Sequence, residues 1–212
     1  MNAQARTWRA RLTRRLAPVP EPSGYAPARP ELDAFAAMLE IGKLSPGQFV
    51  TVLETLHMLG TAGAGVELSS LSTPRLVDIV HKASREQVAA LAEHEELRAV
   101  FLHEIFRRMG EQLVPERARN VSFVVSWRFP RPGAAEEYDR YQLLIEDGEC
   151  TSGPDLGLTP DTTITLGVDD FIRMATGVAA VAPMFVTGKV KVKGEYAPAV
   201  RLSSYFDMPT PN

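Results

Sequence analysis

The chain has one cysteine, four histidines and no apolar run near the length of a membrane span, and each shortage removes a class of proteins. A single Cys150 cannot form an internal disulfide or a cysteine-based metal cluster. His57, His81, His94 and His103 are scattered, without the compact spacing a metal site needs. His103-Glu104 begins like the helical zinc-protease motif, but Arg107 stands where the second imidazole belongs. Gly60, Gly63 and Gly65 follow a helical pattern, not a strand, so they make no nucleotide fingerprint. No segment reaches the ~18 apolar residues of a spanning helix, and Arg residues interrupt any apolar signal core at the N-terminus. With 45% hydrophobic and 23% charged residues, the expectation is a soluble globular protein of a reducing compartment, the cytoplasm, with no metal or other cofactor.

Charge is unevenly spread. Residues 1 to 30 hold six Arg (6, 9, 11, 14, 15 and 29) against Glu21, a net +5, so the rest of a chain of total charge -3 carries -8. A mildly acidic body without basic stripes argues against nucleic acid as a partner. Over residues 3 to 16, Ala5, Trp8, Leu12 and Leu16 share one helical face that the Arg residues mostly avoid. Such a helix suits a membrane surface or a partner. Transit peptides are also Arg-rich and acid-poor, and a docked or frayed terminus is the commoner outcome. Pro18, Pro20, Pro22, Pro27 and Pro30, with Gly24, then mark an extended linker, because each Pro fixes φ and lacks a donor.

Apolar residues next recur at helical spacing. Leu32, Phe35, Ala36 and Leu39 mark a helix over Glu31 to Ile41. Ser45-Pro46 opens a second helix with Phe49, Leu53 and Leu56 on one stripe. Thr61 to Gly65 breaks the pattern. Thr73-Pro74 opens a helix carrying Leu76, Val77, Ile79 and Val80, and Ser84-Arg-Glu-Gln87 has capping-box form. A long amphipathic helix follows from Glu95 to Leu113, with Leu97, Phe101 and Ile105 widened by Val100, Leu102, Phe106 and Met109; Pro115 ends it.

After Asn120 the period changes to 2. Val121, Phe123, Val125, Trp127 and Phe129 alternate with Ser122, Val124, Ser126 and Arg128, and Tyr141, Leu143 and Ile145 form a second alternating set. Pro130-Arg-Pro-Gly133 and Asp147-Gly148 read as hairpin turns, so Glu149 to Ser152 pairs back. Thr162 to Leu166 and Gly188 to Lys193 read as two more strands, with a helix from Asp169 to Thr176 and a short turn near Pro183 between them. Lys189, Lys191 and Lys193 alternate with Val190 and Val192, which suits a sheet edge. Residues 196 to 206 predict a last helix with Pro198 in its first turn.

Three pieces of this order carry a resemblance: Thr163-Ile-Thr-Leu166, Asp170-Phe171 with Gly177, and Gly188-Lys-Val-Lys-Val-Lys-Gly194. With Leu102-His-Glu-Ile-Phe-Arg-Arg-Met109 opening the run, the last half of the chain resembles the sterol carrier protein two superfamily, in particular its actinobacterial members. The helical first half has no counterpart in the minimal domain of that family. Pro198 stands where relatives carry a plain helical residue, which predicts a shorter final helix. The chain ends Pro-Thr-Pro-Asn212, without the Ser-Lys-Leu peroxisomal tail of some relatives. The resemblance implies an α+β fold: a five-stranded, mostly antiparallel sheet covered on one face by helices, preceded by an all-helical N-terminal region. It divides the chain into a basic helix and linker (1–30), a helical extension (31–92) and a lipid-binding domain (93–212). It also implies an apolar tunnel for a sterol, fatty acyl chain or similar lipid. The candidate lining is Phe171, Met174, Val178, Val181, Met184, Phe185, Val186, Val200, Leu202 and Phe206. The residues alone leave open whether these line a tunnel or fill a closed core, since apolar stripes are more often core.

Polar candidates have structural readings beside them. Asp169-Asp170 has the form of an acid/base pair, but both precede a helix, where acids cap free N–H groups and match the dipole. Cys150 lies in a short strand with no histidine near it in sequence and reads as a small apolar residue. Ser203-Ser204-Tyr205 reads as a solvated helix end, and the three lysines as an edge face, with anionic lipid head groups the alternative. The sequence therefore favours a non-enzymatic carrier of a hydrophobic ligand. A cyclase or isomerase of a hydrophobic intermediate, or a scaffold presenting lipids to partner enzymes, are the rivals. Peripheral membrane contact through the N-terminal helix and a homodimer complete the partner expectations.

Overall fold

The computed structural model describes residues 30–59 and 68–207. The basic helix, nearly all of the Pro-rich linker and the break at Thr61 to Gly65 lie outside the described residues.

Local signals set most helix starts. Helix α1 (Pro30–Met38) leads through a 3-10 turn (Ile41–Lys43) to α2 (Pro46–Leu59). Ser45 caps α2 reciprocally: its N–H donates to Gln48 Oε1 (2.9 Å), and the Gln48 N–H donates to Ser45 Oγ (3.2 Å). Helix α3 (Thr73–Lys82) opens at Thr73-Pro74 as read from sequence, with Ser72 as its N-cap and Pro74 in the first turn. Helix α4 (Arg85–Glu93) has the expected capping box between Ser84 and Gln87. The Gln87 amide also donates to the carbonyls of Ile41 (2.8 Å) and Leu44 (2.7 Å), fixing α4 against the α1–α2 corner. Helix α5 (Glu95–Glu111) is the long amphipathic one, and α6 (Pro115–Ala118) a single turn beyond it.

The strands are β1 (Ser122–Arg131), β2 (Ala134–Glu146), β3 (Glu149–Gly153), β4 (Thr162–Thr165) and β5 (Lys191–Gly194), in the sheet order β3-β2-β1-β4-β5. Pairing is antiparallel except between β1 and β4. Asp147 (φ 51°) and Gly148 (φ 85°) form the β2–β3 turn, the left-handed pair a two-residue hairpin demands. Between β4 and β5 lie α7 (Val168–Ala175) and α8 (Val181–Val186); α9 (Tyr196–Arg201) and a 3-10 turn (Leu202–Tyr205) follow β5. The fold is thus α+β, with a five-stranded mixed sheet preceded by helices.

Period-2 alternation puts Val125, Trp127 and Phe129 on one face of the sheet, and the register sets Trp127 beside Tyr141 on one side and Ile164 on the other. Phe106 of α5 stacks on Tyr141 (ring centroids 4.5 Å) and packs against Trp127, Phe129 and Phe171 of α7. Burial is continuous: side chains from Leu32 of α1 to Phe206 past α9 belong to one hydrophobic cluster. Helix α4 bridges its parts, packing on α2, α5 and α7.

The fifth strand is shorter than its sequence suggests. Gly188 takes φ 72°, and the N–H groups of Lys189 and Val190 both donate to the Met184 carbonyl, so pairing with β4 begins only at Lys191. Lys189 lies outside the strand, with its ammonium on both oxygens of Asp170 (2.7 and 2.9 Å). Lys191 and Lys193 are exposed at the sheet edge.

Candidate ligand-binding site

At the β4–β5 side of the sheet the helices do not close completely. A cavity of ≈ 90 Å³ remains between the sheet and α3, α5, α7, α8, α9 and the turn after it. Trp127 and Ile164, neighbours in the parallel β1–β4 register, belong to its sheet wall.

Helical spacing brings side chains in from three short helices. Phe171, Met174 and Ala175 share a face of α7, and Val181 and Phe185 lie one turn apart on α8. Ala199, Leu202 and Phe206 enter from α9 and beyond. The Asp170–Lys189 pair fastens α7 to the segment entering β5, which places buried Val190 in the wall. Backbone bonds from Val114 N–H to Tyr205 O (2.8 Å) and from Asp207 N–H to Gln112 O (2.9 Å) tie the C-terminal turn to the end of α5.

Six candidates from the sequence, Phe171, Met174, Val181, Phe185, Leu202 and Phe206, line this cavity. The other four stand off it. Val186 (89% exposed) and Val200 (52% exposed) follow inward residues by one position on short helices, and a 100° step turns them to solvent. Met184 is buried in the core beside, not within, the cavity, and Val178 is half-buried in the turn after α7.

Asp169 and Asp170 do not cap α7 by hydrogen bonding. Gly167 occupies the N-cap and no side chain completes it; both acids remain in the first turn, Asp170 spent on Lys189. Ser203 reaches the cavity wall, whereas Ser204 bonds back to Arg201 O (2.6 Å). Cys150 is half-buried, and burial pushes its thiol up to about 12, which removes it as a nucleophile near neutral pH.

Besides the sheet-side residues Trp127, Ile164, Leu166 and Val190 and neighbours of the candidates such as Ala175 and Ala199, two helix faces escaped the sequence reading. The first is the apolar face of α3, with Thr73, Leu76 and Val77. These come from the helical extension, and nothing local in sequence says that this helix reaches the sheet. The second is on α5: Ile105, Arg108, Met109 and Gln112. Here a signal existed, because Arg108 falls on the Leu97–Phe101–Ile105 stripe, and a charge on a buried stripe needs a reason.

Arg108 is 6% exposed. Its Nε donates to Glu104 (3.3 Å), Nη1 to Thr73 Oγ1 (2.8 Å), and Nη2 to the carbonyls of Leu68 (3.3 Å) and Leu71 (2.7 Å). Burial lowers its pKa from the usual arginine value while the Glu104 carboxylate opposes the shift. Its main work is to fasten residues 68–73, and with them α3, to α5. His81 adds a second tie, its Nε2 lying 3.0 Å from Thr176 O. Asp207, the acid on the wall, is exposed and pairs with Arg117 (2.9 Å). Among the described residues, no group of three or more His, Cys, Asp or Glu could hold a metal ion, and no helix is long and apolar enough to cross a membrane.

Residues 102–207 match the model of the SCP-2 sterol transfer family. Hydroxysteroid dehydrogenase-like protein 2 of Xenopus tropicalis is 29% identical over 185 residues, covering 80% of this chain and 43% of that protein, so the chain spans less than half the length of that relative. Among solved structures, palmitated SCP2L2 of Aedes aegypti is similar at 20% identity and a TM-score of 0.39, over 49% of this chain and 88% of that one. The inverting sec-alkylsulfatase Pisa1 of Pseudomonas sp. is similar at 14% identity and a TM-score of 0.46, over 87% of this chain and 33% of that one.

Proposed function

The chain belongs to the SCP-2 sterol transfer family, and from that premise we propose that it carries a hydrophobic small molecule, of the fatty acyl or sterol class, in the cavity beneath α7, α8 and α9. The observation that carries this reading is the composition of the walls: Leu76, Ile164, Phe171, Met174, Phe185 and Leu202 converge with few polar groups among them. Burial of a ligand's apolar surface there contributes about 25 cal/mol per Å² removed from water. The polar groups gather where α3 meets α5, at Thr73, Arg108 and Gln112. Among the described residues, four of the five Arg108 N–H donors are engaged with Glu104 and residues 68–73, so this polar corner holds α3 on α5.

A carrier is favoured over a cyclase or isomerase by the ionisable groups on the walls. Arg108 is engaged by Glu104, Thr73, Leu68 and Leu71, and Asp207 is exposed and paired with Arg117, so neither is poised as a general base. The test is displacement of a fluorescent fatty acid such as cis-parinaric acid. Saturable displacement by palmitate or cholesterol is expected, and Met174→Trp should block it while leaving the melting temperature near wild type, because a void accepts bulk. In a packed core the same change would cost ~1–3 kcal/mol. Absence of saturable probe binding would remove the carrier reading.

A further inference from the structure

Trp127 has an anomaly that the lipid-carrier reading leaves unused. The side chain is 2% exposed, it borders the cavity, and its indole Nε1–H has no hydrogen-bond acceptor among the described residues. Buried indole N–H groups normally find a partner, because leaving one unmade forfeits about 1–3 kcal/mol. The other buried polar atoms without a partner, on Ser70, Arg75 and Arg128, are not on the cavity wall. The anomaly is also fixed in place. The indole stacks on Phe129 (6.3 Å between centroids), leans on Phe171 (5.1 Å) and Phe106 (5.9 Å), and sits in the β1 register between Tyr141 and Ile164. A ring wedged among three aromatic neighbours cannot swing to find an acceptor of its own.

We propose that the Trp127 indole N–H is a hydrogen-bond donor to the ligand, so that the cavity selects an apolar molecule carrying an acceptor oxygen (a hydroxyl, carbonyl or carboxyl group) over a plain hydrocarbon of the same length. This rests on the carrier reading and deepens it by naming the donor that meets the ligand's oxygen. Burial supplies affinity for any apolar chain. The unpaired donor adds discrimination, since an oxygen that reaches it restores a bond that the empty protein lacks, whereas a methylene there leaves it unmade.

The chain has two tryptophans, so Trp8→Phe leaves Trp127 as the single indole reporter in otherwise full-length protein. Binding of dodecanol and of dodecane is measured by displacement of the same fluorescent probe. The alcohol is expected to bind about fivefold or more tightly, the worth of one hydrogen bond. Trp127→Phe, which keeps an aromatic ring and removes the donor, should bring the two affinities together. A second reading needs no change at Trp127: in a proton–nitrogen spectrum the indole N–H signal should move downfield and resist solvent exchange with dodecanol, and not with dodecane. If Trp127→Phe does not fold, that signal decides alone. An affinity gap that persists in Trp127→Phe, or an indole signal equally affected by both ligands, would overturn the inference and leave the carrier reading standing. Failure of both ligands to bind would remove the carrier reading and this inference with it.

Discussion

The Cys150 thiol lies on β3 opposite Ile145, on the side of the sheet that α5 covers. Burial raises it from its ordinary value of 9.0 to about 12. A group whose folded pKa is raised stabilises fully below its unfolded pKa and loses that contribution as pH rises through the folded one. Folding stability should therefore fall between pH 9 and about 12, and Cys150→Ala should flatten that slope in denaturant titrations at stepped pH. An unchanged slope would show that the thiol ionises as easily folded as unfolded. This residue's apolar character was legible from its strand and the lack of a nearby histidine. Arg108 and Trp127 were legible as apolar-stripe positions, but not in their roles. Each depends on what stands opposite: the carbonyls of Leu68 and Leu71 across some forty positions for Arg108, and the missing acceptor for Trp127.

Elements were readable where their determinants are local. The reciprocal caps at Ser45 and Ser84 and the left-handed turn at Asp147-Gly148 are each written within four residues. The β5 edge was readable in place but not in length, because the start of pairing depends on the Met184 carbonyl capturing the Lys189 and Val190 N–H groups. The two glycines that frame this segment are not equivalent. Gly194 has φ 97°, and a Cβ there would strike the Asp161 carbonyl oxygen, whose backbone approaches because the Glu195 N–H donates to it. Gly188 has φ 72° with open space around it. Gly188→Ala should cost about 1 kcal/mol from the left-handed backbone alone. Gly194→Ala should cost clearly more, ~2–3 kcal/mol, by adding the steric clash. Urea titrations of the two variants compare them directly, and equal losses would mean that the Asp161 carbonyl yields freely.

At the scale of the molecule, the order of helices and strands from Glu95 to Phe206 showed the fold class, because the period change near Asn120 and the hairpin turns are strong signals, while the family rested on the resemblance carried by Thr163 to Leu166, Asp170-Phe171 with Gly177, and Gly188 to Gly194. The cavity's full wall was not legible. Sequence periodicity gives the face of a helix, not its neighbour, so α3 read as part of a separate extension. In the structure Arg108 and His81 fasten it across the C-terminal half, and Leu76 and Val77 complete the site. The central claim is therefore that one hydrophobic ligand occupies a cavity built jointly by the helical extension and the family-matched half. The most direct test is methyl NMR of protein labelled at methionine, leucine and valine methyls during titration with a fatty acid. The account predicts saturable shifts at Met109, Met174, Leu76 and Val77, which line the cavity, and none at Met38 and Met58, which are 73% and 59% exposed on α1 and α2. Shifts confined to Met38 and Met58, or no saturable shift at Met109 and Met174, would contradict it.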